Sequence, residues 1–441
     1  MQPKHPQQKK QTQSAARLLA PKLLAGVVAM ALGASAWAQT TSSGTSKGGS
    51  TGAAAAKGAP RISGNVVKIG VLTDMSGLYA DLGGEGSLVA AKMAMEDFGS
   101  RVLGLPIEVI GADHLNKADV GANKVREWYD TQNVDMVTDA LNSAVAIAIG
   151  KVSHEKNKLA MIVGAGSSRL SNEDCNLNTI HYAYDTYALG NISGNAVVKA
   201  GGKSWFFLTA DYAFGHSLES DTAGWVKKSG GEVKGAVRHP LNASDFSSFL
   251  LQAQASKAQV IGLANAGGDT INAIKAAVEF GLTKNQALAG LLVFITDIHS
   301  LGLQTTQGMY VADGWYWDLN DETRRFGKRF FERTKKMPTM VHAGSYSSTL
   351  QYLRAVQATG TDDARVVVDY LRKHRMNDLF HKNAVLREDG RVVRDMYLMQ
   401  VKKPSESKYP WDYYHVRATV PGDQAYQPMA QGKCTAVRKS S

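Results

Sequence analysis

Three short segments rich in glycine and hydroxyl side chains carry the chemistry that this sequence suggests. They are Asp74-Met75-Ser76-Gly77, Asp139-Ala140-Leu141-Asn142-Ser143 and Gly164-Ala165-Gly166-Ser167-Ser168. Each follows an apolar run typical of a buried strand, and the second leads into a helical pattern whose expected N-cap is Asn142 or Ser143. Helix N-termini bind anions through backbone N–H groups, glycine allows close approach, and serine adds a donor. The segments predict a site for an anion such as a carboxylate, although ordinary capping and turn chemistry uses the same residues.

Common signatures of cofactor, metal and redox chemistry are missing. The sequence has no G-x-x-x-x-G-K-[ST], no G-x-G-x-x-G after a strand, no H-E-x-x-H and no C-x-x-C. Its 11 histidines show no convincing ligand spacing. We therefore expect no metal and no cofactor. Nothing positive favours an enzyme, although a catalytic triad does not require a local motif.

Alternating strand-like and helix-like segments from Val66 to about Val401 must position these loops. Apolar runs such as Val67–Leu72, Ile107–Gly111 and Leu292–Thr296 read as strands, with helical patterns between them. This alternation predicts an α/β fold of βαβ units with parallel sheets, in which ligands bind beyond the carboxyl ends of the strands. After Gly201-Gly202 the pattern starts again, which predicts two similar domains.

The first 38 residues have the order of an export signal. Basic residues precede the apolar run from Leu23 to Ala36, and Ala36-Trp37-Ala38 fits a small-x-small cleavage site. The apolar run is short for a spanning helix, which needs about 20 residues, although an uncleaved anchor is the alternative. We expect a signal peptide at residues 1–38, a flexible Ser-, Gly- and Ala-rich linker at 39–65, and a protein that works outside the cytoplasm.

Charge and cysteine content narrow the possible partners. The formal net charge is +11, and the densest basic run, from Arg324 to Lys336, has the helical spacing of a solvated face. No nucleic-acid motif accompanies it, so no nucleic-acid partner is expected. In an oxidising compartment the two cysteines, Cys175 and Cys434, predict a disulfide. Two unpaired thiols are the alternative.

The order of the segments resembles the type I periplasmic binding proteins, specifically the branched-chain amino-acid (Leu/Ile/Val) solute-binding family of ABC importers. The resemblance is carried by three stretches: KIGVLTDMSGLYADLG, MVTDALNSAVAIAIGKVSHEKNKLAMIVGAGSSRLS and FFLTADYAFGHSLESD. It implies a periplasmic protein with two Rossmann-like lobes joined by a three-segment hinge and ligand held between them. The implied boundaries are 66–186 with 313–382 for lobe 1, 187–312 with 383–420 for lobe 2, and an irregular tail at 421–441, with crossings near Tyr187, Ala312 and Asn383.

The resemblance also implies partners and site residues. The partners would be a small-molecule ligand and the membrane permease and ATPase of an ABC importer. Ser143 matches the family's ligand-binding serine, and Gly166 with Ser167 matches its second donor loop. Leu82 stands where a tyrosine often sits. Asp297 falls near the acidic residue that takes an α-ammonium group.

The loop Ala264–Asp269 departs from the family pattern, because it is built of small residues where the family's amino-acid binders commonly carry bulky side chains. Tyr184, Tyr187 or Tyr316 could then stack on a flat ligand, or the rings around Tyr316 could be packing alone. We favour an aromatic or other hydrophobic carboxylate over a leucine-like amino acid. The alternative functions are a ligand-sensing module for a receptor or regulator, and an exported hydrolase. The candidate ligand-binding residues are Ser76, Leu82, Asn142, Ser143, Gly166, Ser167, Tyr184, Tyr187, Ala266, Asp297 and Tyr316.

Overall fold

The computed structural model describes residues 61–438. The predicted signal peptide and residues 39–60 of the predicted linker lie outside the described residues. The strands in the described part are β1 (Val67–Thr73), β2 (Arg101–Val102), β3 (Leu105–Asp113), β4 (Met136–Asp139), β5 (Leu159–Ile162), β6 (Thr179–His181), β7 (Ser204–Ala210), β8 (Glu232–His239), β9 (Val260–Ala264), β10 (Ala287–Gly290), β11 (Tyr310–Asp313), β12 (Val385–Leu386), β13 (Val392–Val393), β14 (Met396–Val401) and β15 (Tyr414–Val420).

The helices begin at polar N-caps in several places, among them Asn142, Asn320 and Thr339, whose side chains accept hydrogen bonds from the first turn. A π-helical segment, Gly190–Gly194, joins α4 to α5. The helices are α1 (Gly84–Phe98), α2 (Ala118–Thr131), α3 (Ser143–Glu155), α4 (Thr186–Leu189), α5 (Asn195–Lys199), α6 (Ala213–Lys228), α7 (Ser247–Ala255), α8 (Gly267–Glu279), α9 (Ile295–Leu301), α10 (Leu303–Thr306), α11 (Asp321–Thr334), α12 (Met340–Thr359), α13 (Ala364–Lys373), α14 (Gly422–Ala425) and α15 (Thr435–Arg438).

Two largely parallel sheets form the framework. Within residues 61–438 the first has the order β2-β3-β1-β4-β5-β6 and the second the order β10-β9-β7-β8. In the first sheet Ile69 of β1 lies between Val109 of β3 and Met136 of β4, both in parallel register. These apolar strands are buried because helices cover both faces, as parallel sheets require. The predicted α/β class with parallel sheets is confirmed.

Smaller antiparallel pieces follow in the last part of the chain. A sheet of order β11-β14-β15 is antiparallel throughout, and β12 pairs with β13 in a short hairpin. The C-terminal part was expected to be irregular; it carries the single-turn helices α14 and α15 among turns. A disulfide joins Cys175 to Cys434, and the Tyr426 hydroxyl donates to the Ala183 carbonyl oxygen at 3.1 Å. These contacts hold the tail against the first sheet.

One predicted strand is wrong. Leu292–Thr296 is not a strand, since β10 lies earlier, at Ala287–Gly290, and α9 begins at Ile295. The Asp297 carboxylate accepts from the Phe294 N–H at 2.9 Å, which fixes the start of the helix. The apolar run therefore signalled burial rather than strand, an ambiguity inherent in short apolar runs.

The last residues of the predicted linker already contact the folded unit. The Arg61 N–H donates to the Gly360 carbonyl oxygen at 2.7 Å, and the Ser63 N–H donates to Asp362 at 2.9 Å. Ordered contacts thus begin before Val66. Among residues 61–438 we find no helix with both the length and the apolar character needed to cross a membrane.

Candidate ligand-binding site

A small cavity lies between the carboxyl ends of the two parallel sheets. Every lining residue belongs to a loop or helix start that follows a strand, as open α/β sheets require of a ligand site. The first-sheet wall consists of Tyr79, Leu82, Leu141, Gly164, Gly166 and Tyr184. The second-sheet wall consists of Tyr212, Phe214, Ala266, Leu292 and Phe294.

A wider and more open depression lies elsewhere. It has about 1870 Å³ of free space and is lined by charged residues that include Arg61, Lys158 and Asp362. Lys158 immediately precedes β5, so this depression lies at the amino ends of the strands. Ligands of open α/β sheets bind at the opposite edge, and the smaller enclosed cavity is therefore the better candidate.

The predicted anion donors lie together just behind the cavity wall, but they bind one another. The Ser167 N–H donates to Ser143 Oγ at 3.1 Å, and Ser167 Oγ lies 2.7 Å from Ser217 Oγ. The Asn142 side chain caps α3 by accepting from the N–H groups of Ala144 and Val145. A ligand carboxylate would have to replace these hydrogen bonds to use the same donors.

Glycine is required at Gly166 because an aromatic ring packs against it. A Cβ atom there would lie 2.6 Å from Tyr184 Cε2 and 3.2 Å from Phe214 Cε2. The Tyr184 hydroxyl is itself fixed, since it donates to the Gly164 carbonyl oxygen at 2.5 Å. The two glycines thus let a tyrosine form one side of the cavity.

Three hydrogen bonds cross the cleft around the cavity and hold the two walls together. The hydroxyl oxygens of Tyr79 and Tyr212 lie 2.6 Å apart, and Ser167 meets Ser217 as described above. The Gly268 N–H, at the start of α8, donates to the Leu78 carbonyl oxygen at 3.0 Å. The neighbouring Gly267 has φ +55°, and a Cβ atom on it would lie 2.5 Å from the Leu78 oxygen. Only glycine permits this closed contact.

The electrostatics of the site are dominated by buried carboxyl groups. Among the described lining residues there is no Lys, Arg or His. Burial raises the pKa of Asp139 to about 7, partly offset by the nearby hydroxyls of Thr73 and Ser87. Burial also raises the pKa of Asp297 to about 7, and Asp81 adds to the effect. The cavity can bind an anion only through neutral donors.

Asp139 also carries backbone strain. It has φ +78°, and the next residue, Ala140, has φ +53°, a region that non-glycine residues rarely adopt. Neither Asp139 carboxylate oxygen has a well-aligned hydrogen-bond partner among the described residues. Such strain clusters at ligand sites, and here it lies directly before the Leu141 that lines the cavity.

The structure brings some predicted site residues to the cavity and leaves others away from it. Leu82, Gly166, Tyr184 and Ala266 line it, and Asp297 lies beside the lining residue Phe294. Asn142, Ser143 and Ser167 lie behind its wall, as described above, and three further predicted residues make their contacts elsewhere. Ser76 donates to Asp113 on the exposed surface, Tyr187 packs edge-on against Trp225, and the Tyr316 hydroxyl donates to the Trp411 carbonyl oxygen.

Sequence reasoning missed most of the second-sheet wall. The missed lining residues are Tyr79, Leu141, Gly164, Tyr212, Phe214, Leu292 and Phe294. A signal for several of them was present, because Tyr212 and Phe214 directly follow a predicted strand, and Leu141 and Gly164 lie inside the predicted loops. Leu292 and Phe294 were hidden by the wrong strand assignment.

Comparisons with known proteins agree with this geometry. The profile of a family described as periplasmic binding protein matches residues 66–408. A periplasmic binding protein of known structure from Burkholderia mallei is 56% identical, with 84% of this chain and 99% of that chain covered and a TM-score of 0.83.

Two further solved structures extend the comparison. A branched chain amino acid ABC transporter periplasmic ligand-binding protein from Burkholderia xenovorans LB400 is 41% identical, with 84% and 99% of the two chains covered and a TM-score of 0.75. A solute binding protein of an ABC transporter from Rhodopseudomonas palustris BisB5, in complex with 3,4-dihydroxybenzoic acid, is 20% identical, with 81% and 98% covered and a TM-score of 0.73. At that identity the likeness is one of fold.

Proposed function

Because the chain belongs to the periplasmic binding protein family, we propose that it captures a small organic acid between two lobes and delivers it to an ABC importer. The observation that carries this proposal is the enclosed cavity, whose walls come from the carboxyl ends of two separate parallel sheets. A ligand held between two such walls is released when they part, as delivery to a membrane permease and its ATPase requires.

The lobe organisation belongs to the same proposal. Lobe 1 would comprise 66–186 and 313–382, lobe 2 would comprise 187–312 and 383–420, and the hinge would cross near Tyr187, Ala312 and Asn383. Support comes from the hydrogen bonds between the cavity walls, since those of Tyr79 with Tyr212 and of Gly268 with Leu78 join loops from different sheets. The signal-like sequence of residues 1–38 supports a periplasmic location.

The ligand class that we propose is an amino acid or an aromatic carboxylate. The ring-rich lining favours a compact hydrophobic body, and the small volume limits its size. Ser143, Gly166 and Ser167 would supply neutral donors to the carboxylate after exchanging their present hydrogen bonds. A relative that is 41% identical is a branched chain amino acid ABC transporter ligand-binding protein, which supports the acid class. Binding without catalysis is the role that we infer.

Thermal-shift and calorimetric titrations test the proposal. The probes are L-leucine, L-phenylalanine, benzoate and 4-hydroxybenzoate, because a ligand that binds the folded state raises the unfolding temperature by mass action. Gly166→Ala should lose the shift, since its Cβ would collide with Tyr184, whereas Gly224→Ala, with nothing within 4 Å of its Cβ, should keep it. Small-angle scattering should report closure when ligand is added. Unimpaired uptake of every bound acid in a deletion strain would contradict delivery.

A further inference from the structure

The Tyr79 and Tyr212 hydroxyls form a pair that exists only when the two walls meet. Tyr79 follows β1 and Tyr212 follows β7, and both residues line the cavity. Their hydroxyl oxygens are 2.6 Å apart, and this is the one hydrogen bond that either hydroxyl makes among the described residues. Tyr79 is 2% exposed, so its hydroxyl cannot rely on solvent, and Tyr212 is half-buried.

Counting hydrogen atoms shows that the pair has a donor to spare. Each phenol carries one hydroxyl hydrogen, and a single hydrogen bond between two phenols uses one of the two. The other hydrogen needs an acceptor, because an unsatisfied buried donor is costly. The Gly164 carbonyl oxygen, which lies in the same wall, accepts from Tyr184 and from neither hydroxyl of the pair.

The pair remains a donor over the whole physiological range. Burial raises the pKa of Tyr79 well above its usual value, and the neighbouring Tyr212 and Asp269 add to the effect. Burial raises the pKa of Tyr212 as well, with Asp269 adding to it and the hydrogen bond from Tyr79 opposing it. Among the described residues the Asp269 carboxylate makes no hydrogen bond with either hydroxyl, and its two oxygens accept from the N–H groups of Asn242 and Ala243.

We propose that the Tyr79–Tyr212 pair recognises a second oxygen-bearing group of the ligand, a hydroxyl or a carbonyl in addition to the carboxylate, and does so only in the closed state. The inference rests on the proposed function and deepens it, because the carboxylate would occupy the donors around Gly166 and Ser167. One hydroxyl of the pair binds its partner across the cleft, and the other donates to the ligand oxygen. The favoured ligands are therefore hydroxy- or oxo-substituted acids.

The test is a double-mutant cycle between the protein and its probes. Calorimetry measures the dissociation constants of 2-, 3- and 4-hydroxybenzoate and of unsubstituted benzoate, and of 2-hydroxy-4-methylpentanoate and unsubstituted 4-methylpentanoate. In the wild type at least one hydroxylated acid should bind more tightly than its parent. Tyr79→Phe and Tyr212→Phe should remove that preference, weakening the hydroxylated acid by about 3- to 10-fold more than the parent.

Two control variants separate recognition from packing. Tyr184→Phe removes a hydroxyl that is bonded to the Gly164 carbonyl oxygen, so it should affect a hydroxylated acid and its parent equally. Tyr316→Phe lies outside the cavity, with its hydroxyl bonded to Trp411, and it should leave both affinities as they are. Thermal unfolding without ligand shows that each variant is folded.

The outcomes distinguish the inference from the function on which it rests. If Tyr79→Phe and Tyr212→Phe weaken a hydroxylated acid and its parent by the same factor, the pair is a closure contact alone and the inference is overturned. The same holds if the wild type prefers the parent acids. If none of the six acids binds the wild type while L-leucine or L-phenylalanine does, the inference is overturned and the proposed function stands. If the two amino acids fail to bind as well, the proposed ligand class is refuted too.

Discussion

Aromatic side chains gather in two regions of this molecule, and they are used differently. The cleft cluster consists of Tyr79, Tyr184, Tyr212, Phe214 and Phe294, which line the cavity. The Trp411 cluster consists of Trp315, Tyr316, Trp317, Trp411 and Tyr414 beside β11 and β15. Both clusters contain buried rings. They differ in what their polar atoms do.

In the Trp411 cluster three ring donors are matched to backbone acceptors, whereas the buried Tyr414 hydroxyl has no hydrogen-bond partner among the described residues. The Tyr316 hydroxyl and the Trp317 Nε1–H both donate to the Trp411 carbonyl oxygen at 3.1 Å, and Trp315 Nε1–H donates to Leu379 at 3.0 Å. In the cleft cluster the Tyr79–Tyr212 pair has one hydrogen more than its single mutual bond uses. The three matched rings of the Trp411 cluster pack, whereas the Tyr79–Tyr212 pair lines the cavity with a spare donor that a ligand oxygen can accept.

The largest expected effect is on the stability of the Trp411 cluster. Trp315 is 2% exposed and packs edge-on against Phe326 with ring centroids 5.8 Å apart. Trp315→Ala should lower the free energy of unfolding by about 3–5 kcal/mol, the usual cost of removing a buried Trp or Phe ring. Chemical denaturation measures it. Tyr409→Ala, in the same region but 47% exposed, should lower the free energy of unfolding much less. An equally large decrease in Tyr409→Ala would show that burial of the ring does not determine the effect.

Behind the cleft cluster, Asp139 should make stability depend on pH. Its folded pKa, about 7 because of burial, exceeds the unfolded value near 4. The folded state thus holds the proton more tightly, so stability is greatest below pH ~4 and falls as the pH rises through 7. Titration of Asp139 should lower the free energy of unfolding of the wild type by an amount on the order of 2–4 kcal/mol between pH 4 and 8, and Asp139→Asn should not show this decrease.

Denaturation curves at a series of pH values measure this difference. The matched control is Asp369→Asn, whose side chain is 63% exposed and which should leave the pH profile unchanged. A stability profile of Asp139→Asn that runs parallel to that of the wild type would show that Asp139 does not titrate in this range.

Closure of the cleft cluster should fail in Gly267→Ala while the Trp411 cluster stays intact. Alanine at φ +55° is strained, and its Cβ would lie 2.5 Å from the Leu78 oxygen across the cleft. Ligand affinity should fall by at least about 10-fold, roughly 1.4 kcal/mol, and scattering should show no compaction with ligand. Gly224→Ala serves as the control and should close normally. Normal closure of Gly267→Ala would show that the two walls do not meet through the contact between Gly267 and Leu78.

The contrast between the clusters also shows how far the sequence could lead. The order of strands and helices predicted the parallel sheets, and the strand-end rule pointed to the loop that holds Gly166. The family resemblance, rather than a local pattern, suggested Leu82, Tyr184 and Ala266. Which of the rings face the ligand was not predictable, because the Trp411 carbonyl oxygen that holds Tyr316 lies 95 residues away in the chain. Likewise, Tyr79 and Tyr212 meet only through the packing of two sheets. No local sequence pattern predicts a contact between residues that are 133 positions apart in the chain.

The smallest expected effect sharpens the comparison most. Tyr316→Phe removes one of the three donors on the Trp411 carbonyl oxygen, and the Trp317 Nε1–H at 3.1 Å and the Tyr413 N–H at 3.0 Å remain. No buried acceptor is left without a partner, so the free energy of unfolding should fall by only about 0.5–1 kcal/mol, and ligand affinity should not change.

Trp317→Phe is the matched variant, since it leaves the Tyr316 hydroxyl in place. Parallel denaturation and calorimetry measure both quantities. If Tyr316→Phe lowers ligand affinity without lowering stability, Tyr316 contacts the ligand, and the two clusters do not differ in function.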